Sequence, residues 1–387
     1  MLRLHQLLVS VMAVTLLLVA GCKKEPSPEG SAPVKITVGH VGHDHHLAMF
    51  VAADNAEEFA RISGIELKCV ADMKRYELFD QGRKVADVEV VKVGGGSKMP
   101  TALAQNVIEV GFGGVAAVLA SVDSGAPIKL ISPLHYKGDM FVVKPDFPVN
   151  SWSEFVALAR GTDKPIRIGY KNPVAVAKVI FEEALQHENI TFGGDLSQKD
   201  LKVHLINVKG GGKLNVSLGG DVVDGYVGNN PFPSVAVEKG IGKIICDLEE
   251  LPPGTFRNHP CCCLAARSDA IKDKAEAIED LLVLFLLANE TINDDLDKAV
   301  AAATRWIGTS QAVERMSIPT SGYSLAVSDS WRETMNQWIK AMNGLQIFQD
   351  KLKGLAPEQA SEKAYDFSLL QKAQQKLIQR ALLRQKK

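Results

Sequence analysis

The sequence predicts an α/β protein of two similar lobes followed by a helical tail. Its 387 residues are 46% hydrophobic and 23% charged, which is typical of a folded globular chain long enough for two lobes. Runs rich in Val and Ile alternate with segments whose apolar residues recur every three or four positions, so strands alternate with helices. This alternation predicts parallel sheets covered by helices.

An internal repeat is the strongest indication of two lobes. Residues 88–132 and 204–245 each run through strand, triple glycine with lysine, helix, strand, glycine-rich turn, helix and strand. In open α/β sheets, ligands bind at the carboxyl ends of the strands, so two such halves facing each other would form a cleft. The triple glycines at 94–96 and 210–212 allow a ligand close to the backbone, although neither fits the P-loop pattern.

Shorter patterns predict the elements outside the repeat. Residues 34–38 form a first strand, 47–61 a helix, and 66–93 an inserted strand pair around a turn at 80–83. A strand at 166–170 leads into Asn172, which is expected to cap a helix at 174–187 with Pro173 in its first position. The predicted helices of the tail are 275–290, 296–307, 330–342 and 366–384.

Charge and hydropathy exclude two classes of protein. Lys plus Arg number 44 and Asp plus Glu 45, so the chain lacks the basic excess that a general nucleic-acid binder needs. A mean hydropathy of +0.02 excludes a polytopic membrane protein.

The first 21 residues have the pattern of an export signal. Arg3 precedes an apolar stretch at 7–20 that is too short to span a bilayer, and Val-Ala-Gly-Cys ends at Cys22. Small residues before a cysteine resemble the lipobox of bacterial lipoproteins, in which that cysteine is lipidated. We therefore expect a signal peptide at 1–21 and a lipidated, Pro-rich tether at 22–33, with the protein on the outer face of a bacterial membrane. The alternative is an ordinary signal peptide with a chance cysteine.

A histidine-rich loop at 40–46, His-Val-Gly-His-Asp-His-His, directly follows the first strand and should lie at the cleft. Four imidazoles and a carboxylate supply the atoms that a transition metal binds. Protonated histidines could instead bind an oxyanion, and neutral ones could hydrogen-bond an organic ligand. A polar loop with capping histidines is the remaining alternative.

Cysteine usage is uneven, since three of the six cysteines are consecutive at 261–263. This is not the spaced pattern of a disulfide scaffold. The run is interpreted as a buried strand at the second crossing between the lobes, built from small apolar side chains. A thiol facing the cleft would join the histidines as a soft metal ligand.

The order of several segments resembles a known family. Residues 35–39, 110–114, 167–171 and 224–231 occur in the order found in type II periplasmic solute-binding proteins of ABC importers, of the nitrate/sulfonate/taurine type (NMT1/THI5-like). The cysteine run also resembles, in part, that of pyrimidine-synthase enzymes in the same superfamily. The resemblance implies two doubly wound lobes joined by two crossover strands: lobe 1 at 34–136, lobe 2 at 137–260, and 261–387 returning to lobe 1 with the C-terminal helices.

The same resemblance implies capture of a small solute, anionic or heterocyclic, by hinge closure and its delivery to a membrane permease. The expected partners are the solute, ABC permease and ATPase subunits and the membrane, with no nucleic acid, no cofactor, no catalysis and a monomeric state. The alternatives are a sensor, or an enzyme or metal-binding protein that uses residues 40–46 and 261–263.

Residues at strand ends and helix N-termini of the two halves are the expected ligand contacts. They are His43, Asp44, His45, His46, Gly96, Ser97, Lys98, Gly114, His135, Tyr170, Lys171, Asn172, Gly212, Asn229 and Asn230. The candidate metal ligands are His40, His43, His45, His46 and Cys261.

Overall fold

A computed structural model describes residues 32–95, 98–195, 197–198 and 200–385. The predicted signal peptide, Cys22 and most of the tether lie outside the described residues, as do Gly96 and Ser97. Within the described ranges, no helix is both long and apolar enough to cross a membrane.

All but the last two described strands lie in the first two thirds of the chain. The strands are β1 (Val34–His40), β2 (Ile65–Ala71), β3 (Arg75–Asp80), β4 (Arg83–Lys92), β5 (Val110–Gly114), β6 (Ile128–Lys137), β7 (Asp139–Val143), β8 (Ile166–Tyr170), β9 (Phe192–Gly193), β10 (Val203–Asn207), β11 (Gly225–Asn229), β12 (Lys243–Asp247), β13 (Pro260–Arg267) and β14 (Ser321–Tyr323).

Helices alternate with these strands and then form the tail. They are α1 (Leu47–Asp54), α2 (Ala56–Ser63), α3 (Lys98–Ala104), α4 (Val115–Asp123), α5 (Trp152–Gly161), α6 (Val176–His187), α7 (Leu214–Gly219), α8 (Phe232–Glu238), α9 (Ser268–Asp273), α10 (Ala275–Asp294), α11 (Leu296–Ile307), α12 (Gln311–Ser317), α13 (Asp329–Gly344), α14 (Pro357–Ala364) and α15 (Ser368–Gln385). Short 3-10 helices lie at Asp44–His46, Gly211–Lys213, Leu248–Glu250 and Ile318–Thr320.

The strands form two sheets. The first has the order β14-β6-β13-β5-β1-β4-β3-β2, and the second has the order β12-β7-β11-β8-β10-β9. Strand β1 pairs in parallel with β4 and β5, and β8 pairs in parallel with β10 and β11. The predicted α/β class with two sheets and a helical tail is therefore confirmed.

The chain crosses between the sheets at two places, which lie side by side. One crossing is the β6–β7 junction at Gly138, and the other is the segment 248–259 before β13. The backbone N–H of Lys137 donates to the carbonyl of His259 at 3.0 Å, and the Lys137 ammonium pairs with Glu249 at 2.8 Å. The two crossings are thus held together by a hydrogen bond and an ion pair.

Several predicted helices differ in detail from the observed ones. The helix expected at 47–61 is two helices, with the break at Asn55, whose side-chain amide donates to the carbonyl of Val51. Asn172 does not cap α6, because its side-chain oxygen accepts the N–H of Val174 in a local turn, and the helix begins later, at Val176. Such a local hydrogen bond competes with helix formation.

The tail contains more helices than the pattern predicted. Helices α10, α11, α13 and α15 correspond to the four expected segments, while the short α9, α12 and α14 were not predicted. The missed helices have six to eight residues, which is too short for a clear apolar period.

Asp123 at the end of α4 fixes the segment after α13 against the first sheet. Its carboxylate is 2% exposed and accepts the backbone N–H groups of Gln349 at 2.8 Å, Asp350 at 3.2 Å and Leu352 at 2.7 Å. Hydrogen bonds to a buried carboxylate are stronger than neutral ones, and donors left without a partner are costly.

We expect Asp123→Ala to lower the free energy of unfolding by about 3 kcal/mol, because three backbone N–H groups lose their acceptor and that of Leu352 is buried. Urea unfolding monitored by circular dichroism measures the change. Ser124→Ala, one residue further along on the surface, is the matched control. Equal stability of the two variants would contradict this role for Asp123.

Candidate ligand cleft and histidine–cysteine cluster

A cleft of about 930 Å³ opens between the two sheets at the carboxyl ends of their strands. Val41–His43 and Lys92–Gly95 form one wall, after β1 and β4, while Lys171–Pro173 and Asn207–Gly212 form the other, after β8 and β10. The described glycines of both triple-glycine segments, Gly94–Gly95 and Gly210–Gly212, therefore border the cleft. This is the position that the doubled α/β unit predicts for a ligand site.

The described lining of the cleft is positively charged. It includes five lysines and no carboxylate: Lys92, Lys98, Lys171, Lys209 and Lys239. None of these lysines makes an ion pair with a described residue. Lys171 donates a hydrogen bond to the side-chain oxygen of Asn229. Uncompensated ammonium groups facing a concave site attract anions.

Gly42 allows one of these lysines to lie across the histidine loop. Its φ is +81°, and a Cβ there would lie 2.7 Å from the Lys92 Cε. A side chain at this position would strain the backbone and displace Lys92 from the cleft wall.

The histidine loop forms a 3-10 turn at Asp44–His46 that places its side chains in the interior. The N–H of His46 donates to the carbonyl of His43 at 3.0 Å, and the N–H of Val41 donates to the Nδ1 of His46 at 3.0 Å. His43 lines the cleft, and its ring centroid lies 4.2 Å from that of His46 and 5.3 Å from that of His45. His45 and His46 are each 1% exposed, so only part of the loop reaches the cleft.

Burial keeps the histidines of this loop neutral. It lowers the pKa of His40 to about 3 and that of His45 to about 4, since a charged imidazole is poorly solvated in the interior. Burial also lowers the pKa values of His43 and His46. At neutral pH these rings are hydrogen-bond partners or metal ligands, and they add no positive charge for an oxyanion.

Asp44 points away from the cleft toward the tail. It is 1% exposed, and the Ser317 hydroxyl donates to its carboxyl group. Burial raises the pKa of Asp44, as does the nearby Glu314, whose own pKa burial raises to about 7. The expected ligand contact of Asp44 is therefore replaced by a contact with α12.

Strand β13 carries the cysteine run into the interior between β5 and β6, and the interpretation of the run as a buried strand is confirmed. Its pairing with β6 is irregular on both sides of Cys262. Neighbouring side chains of a regular strand point to opposite faces, but β-bulges redirect them. Here the Sγ atoms of Cys261 and Cys262 lie 4.0 Å apart, while Cys263 lies against the Gly113 carbonyl instead.

The two thiols meet two histidines. The Nδ1 of His45 lies 3.4 Å from the Cys261 Sγ and 3.9 Å from the Cys262 Sγ. His135, on β6 opposite Cys262, packs against His45 with ring centroids 3.9 Å apart and an interplanar angle of 54°. We refer to these four residues, His45, His135, Cys261 and Cys262, as the His–Cys cluster.

The thiols of the cluster differ in acidity. Burial raises the pKa of Cys261. Burial also disfavours the thiolate of Cys262, but the Cys261 thiol and the imidazoles of His135 and His45 outweigh it and lower the pKa of Cys262. The cluster thus favours the thiolate of Cys262 over that of Cys261.

A second pair of buried groups joins the crossings beside the cluster. The Nε2 of His259 lies 3.3 Å from the Asp139 Oδ2, and its Nδ1 lies 3.0 Å from the Phe256 carbonyl. Burial raises the pKa of Asp139, but the hydrogen bond from His259 and the nearby imidazole of His45 outweigh it and lower that pKa. Trp338 donates its indole N–H to the Pro260 carbonyl at 3.1 Å and so packs α13 against the start of β13.

The expected site residues therefore fall into separate groups. Those that line the cleft are His43, Lys98, Lys171, Asn172 and Gly212. Those that lie outside its lining are Asp44, His45, His46, Gly114, His135, Tyr170, Asn229 and Asn230. Asn230 is 0% exposed and donates to Thr320 at 2.8 Å, and Tyr170 packs beneath the Lys178 ammonium.

The candidate metal ligands also lie in different parts of the structure. His45 and Cys261 belong to the cluster, whereas the His40 ring packs edge-on against Phe50 and Trp306. Sequence reasoning missed Cys262 as a cluster member because it could not foresee the bulge. It also missed Lys92 and Lys209, although both precede a triple glycine in the two halves of the repeat.

Comparison with known proteins decides the family. Residues 29–308 match the model of the NMT1-like family. The chain belongs to the NMT1-like family. An uncharacterized protein of Methanocaldococcus jannaschii is 37% identical over 130 residues, which are 33% of this chain and 88% of that protein.

Solved structures similar to this NMT1-like chain include a component of an ABC-type import system and two anion-binding proteins. The ligand-binding component of an ABC-type import system from Staphylococcus aureus, with zinc bound, has a TM-score of 0.66 at 15% identity, covering 88% of this chain and 99% of that one. The nitrate-binding protein of Synechocystis has a TM-score of 0.64 at 11% identity, covering 89% of each chain.

The alkanesulfonate-binding protein of Xanthomonas axonopodis pv. citri, bound to MOPS, has a TM-score of 0.62 at 13% identity, covering 85% of this chain and 98% of that one. At these identities the likeness shows the fold alone. The predicted periplasmic-binding-protein fold of this NMT1-like protein is confirmed.

The buried His40 gives this NMT1-like protein a testable pH dependence. Its pKa is about 3 in the fold and 6.5 in the unfolded chain, so only the unfolded chain gains a proton as the pH falls below 6.5. The stability that the neutral ring contributes is complete above pH 6.5 and decreases toward pH 3.

When the pH is lowered from 7.5 to 5, we expect the free energy of unfolding of the wild type to fall by about 2 kcal/mol more than that of His40→Gln. Urea unfolding at the two pH values measures the difference. His187→Gln, which replaces an exposed ring at the end of α6, should follow the wild type. Parallel pH profiles of all three proteins would refute the assignment.

Proposed function

We propose that this protein is the extracytoplasmic solute-binding component of an ABC importer and that it binds a small anionic solute in the cleft. The observation that carries the proposal is the set of five lysines without ionic partners that line a cleft between two sheets. Each ammonium group can donate charge-assisted hydrogen bonds to a carboxylate, sulfonate or nitrate oxygen. Backbone N–H groups of the glycine segments add neutral donors, apart from those of Gly95 and Gly210, which donate to the Val93 and Lys171 carbonyls.

The family and fold support this proposal. The solved relatives include a nitrate-binding and an alkanesulfonate-binding protein, and both of these ligands are anions. A heterocyclic solute is less well supported, because Phe232 and His43 carry the only two aromatic rings among the described lining residues. The described lining has no acid–base pair and does not include the cluster thiols, so the site is suited to binding without a chemical step.

Hinge closure is the mechanism that we propose for capture. The proposed lobes are residues 34–136 with 261–387, and residues 137–260, connected by the two crossings near Gly138 and His259. A solute that contacts Lys92 on one wall and Lys171 on the other favours the closed state, since only that state makes both sets of contacts. The closed monomer then docks on the permease, whose ATPase subunits drive transport.

Membrane attachment through Cys22 is also part of the proposal. The pattern Val-Ala-Gly-Cys after an apolar segment supports lipidation of this cysteine, and the Pro-rich tether lets the binding domain reach a permease. Several acyl chains on one cysteine hold a protein firmly, since each buried CH₂ contributes about 0.8 kcal/mol.

The lysines provide the test of anion binding. We expect Lys171→Gln and Lys209→Gln each to weaken binding by about tenfold or more, since each removes a charge-assisted hydrogen bond. Isothermal titration with nitrate, taurine and sulfate measures affinity for the wild type and both variants. Lys340→Gln, on the exposed face of α13, is the matched control.

A bound anion should also bind more weakly at high ionic strength, because the lysines are partly exposed to salt. If the wild type binds one of the three anions and both cleft variants bind it with the same affinity, the role of the lysines is disproved. Binding of none of them, with tight binding of a neutral solute, would disprove the anionic ligand.

Cys22→Ala should release the protein from the membrane fraction, because no acyl chain can be attached. Fractionation of cells that express the wild type and the variant, followed by immunoblotting, measures this distribution. Cys69→Ala, which replaces an exposed cysteine on β2, is the control and should stay membrane-bound. A processed Cys22→Ala protein that still sediments with membranes would exclude the lipobox.

A further inference from the structure

The His–Cys cluster brings four metal-binding atoms together in the interior. One donor atom from each of His45, His135, Cys261 and Cys262 lies within 4.8 Å of all the others. These residues are between 1% and 5% exposed. They come from the histidine loop, from β6 and from β13, which are separated by about 90 and 125 positions in the sequence, so the fold alone assembles them.

The distances within the cluster fit a tetrahedral ion. Zinc–sulfur bonds of about 2.3 Å and zinc–nitrogen bonds of about 2.05 Å place two sulfurs roughly 3.8 Å apart, and a sulfur and a nitrogen roughly 3.6 Å apart. The observed Sγ–Sγ distance is 4.0 Å, and the Sγ–Nδ1 distances are 3.4 and 3.9 Å. A sulfur–sulfur distance of 4.0 Å also shows that Cys261 and Cys262 are not joined by a disulfide.

The hydrogen bonding of His135 leaves the required nitrogen available. Its Nδ1 lies 3.3 Å from the Tyr136 carbonyl, while its Nε2 is buried and has no partner among the described residues. A metal-binding histidine usually donates its second ring N–H to a carbonyl or carboxylate in this way, which fixes the tautomer. The unpaired Nε2 is an acceptor that a metal would satisfy.

A neighbouring set of groups is less suited to a metal. Asp139, His259 and Cys261 also lie close together. However, both ring nitrogens of His259 are already engaged, one with Asp139 and the other with the Phe256 carbonyl. His259 therefore acts as a hydrogen-bonding neighbour of the cluster.

The strand irregularity gives independent support. The register shifts on both sides of Cys262 turn two consecutive thiols toward the same pair of histidines. A regular strand would bury three small apolar side chains equally well, so packing does not require the shifts. Bulges that redirect side chains are concentrated at functional sites.

We propose that His45, His135, Cys261 and Cys262 bind one Zn²⁺ ion in a closed tetrahedral site. Two thiolates and two neutral imidazoles around Zn²⁺ give a net charge of zero, so the occupied site can be buried without an unpaired charge. Protonated thiols release their protons to solvent when the ion binds. With four protein ligands and little exposure, the site has a structural role: it fastens the histidine loop to the crossing strands β6 and β13.

The experiment uses the full chain, stripped with a chelator under reducing conditions and then titrated with ZnCl₂ against a chromophoric chelator. We expect one zinc per chain in the wild type, measured by mass spectrometry of the metal after gel filtration. Cys262→Ser and His135→Gln should each weaken zinc binding by about 100-fold, since each removes one of four ligands. Cys263→Ser is the matched control, because this buried neighbour points away from the cluster, and it should bind zinc like the wild type.

Cobalt provides a readout that does not depend on how well a variant folds. Co²⁺ added to the stripped wild type should give the intense visible bands of a tetrahedral site and the charge-transfer absorption of thiolate ligands. Zinc binding by Cys262→Ser equal to that of the wild type, or a cobalt spectrum without thiolate absorption, would overturn the proposal. None of these measurements involves the transported solute, so they are independent of the proposed anion binding.

Discussion

The antiparallel pairing of β6 with β13 is the constraint on which the rest of the structure depends. These strands lie next to each other in the first sheet, and each is continuous with one of the two crossings to the second sheet. Their pairing places His135 opposite Cys262. The hydrogen bond from the backbone N–H of Lys137 to the carbonyl of His259 extends this pairing into the two crossings. The position of the second sheet, and with it the far wall of the cleft, depends on this pairing.

The neighbouring cleft and cluster differ in electrostatic character. The described lining of the cleft carries five lysines and no carboxylate. Burial lowers the pKa values of His45 and His46, so these two imidazoles near the cleft are neutral. The attraction for an anion therefore comes from the lysines, and the neutral rings limit the cost of burying titratable groups. His43 lies at the boundary, since it lines the cleft and also contacts His45 and His46.

The sequence predicts the architecture well because the repeat encodes it twice. Alternating strands and helices, triple glycines and strand-end polar residues are local patterns, and they place the cleft correctly between the halves. The pattern also predicts a buried position for Cys261 to Cys263. It does not predict which thiols share a side, because a bulge depends on how β13 pairs with β5 and β6 together. Nor does it show that Asn172 would form a turn with Val174 instead of capping α6, since both conformations use the same side-chain oxygen.

Gly138 shows how closely the proposed hinge and the cluster are connected. It lies at the β6–β7 junction with φ +80°, and a Cβ there would be 2.6 Å from the His45 Nε2 and 2.3 Å from the Ser321 Oγ. Glycine is therefore required at this crossing for two reasons: the left-handed backbone conformation and the space that the His45 ring occupies. Because the ring of a cluster residue packs directly on the hinge backbone, a rotation at Gly138 that closes the cleft must move past His45. In the proposed closure, a fixed His45 would thus limit the range of that rotation.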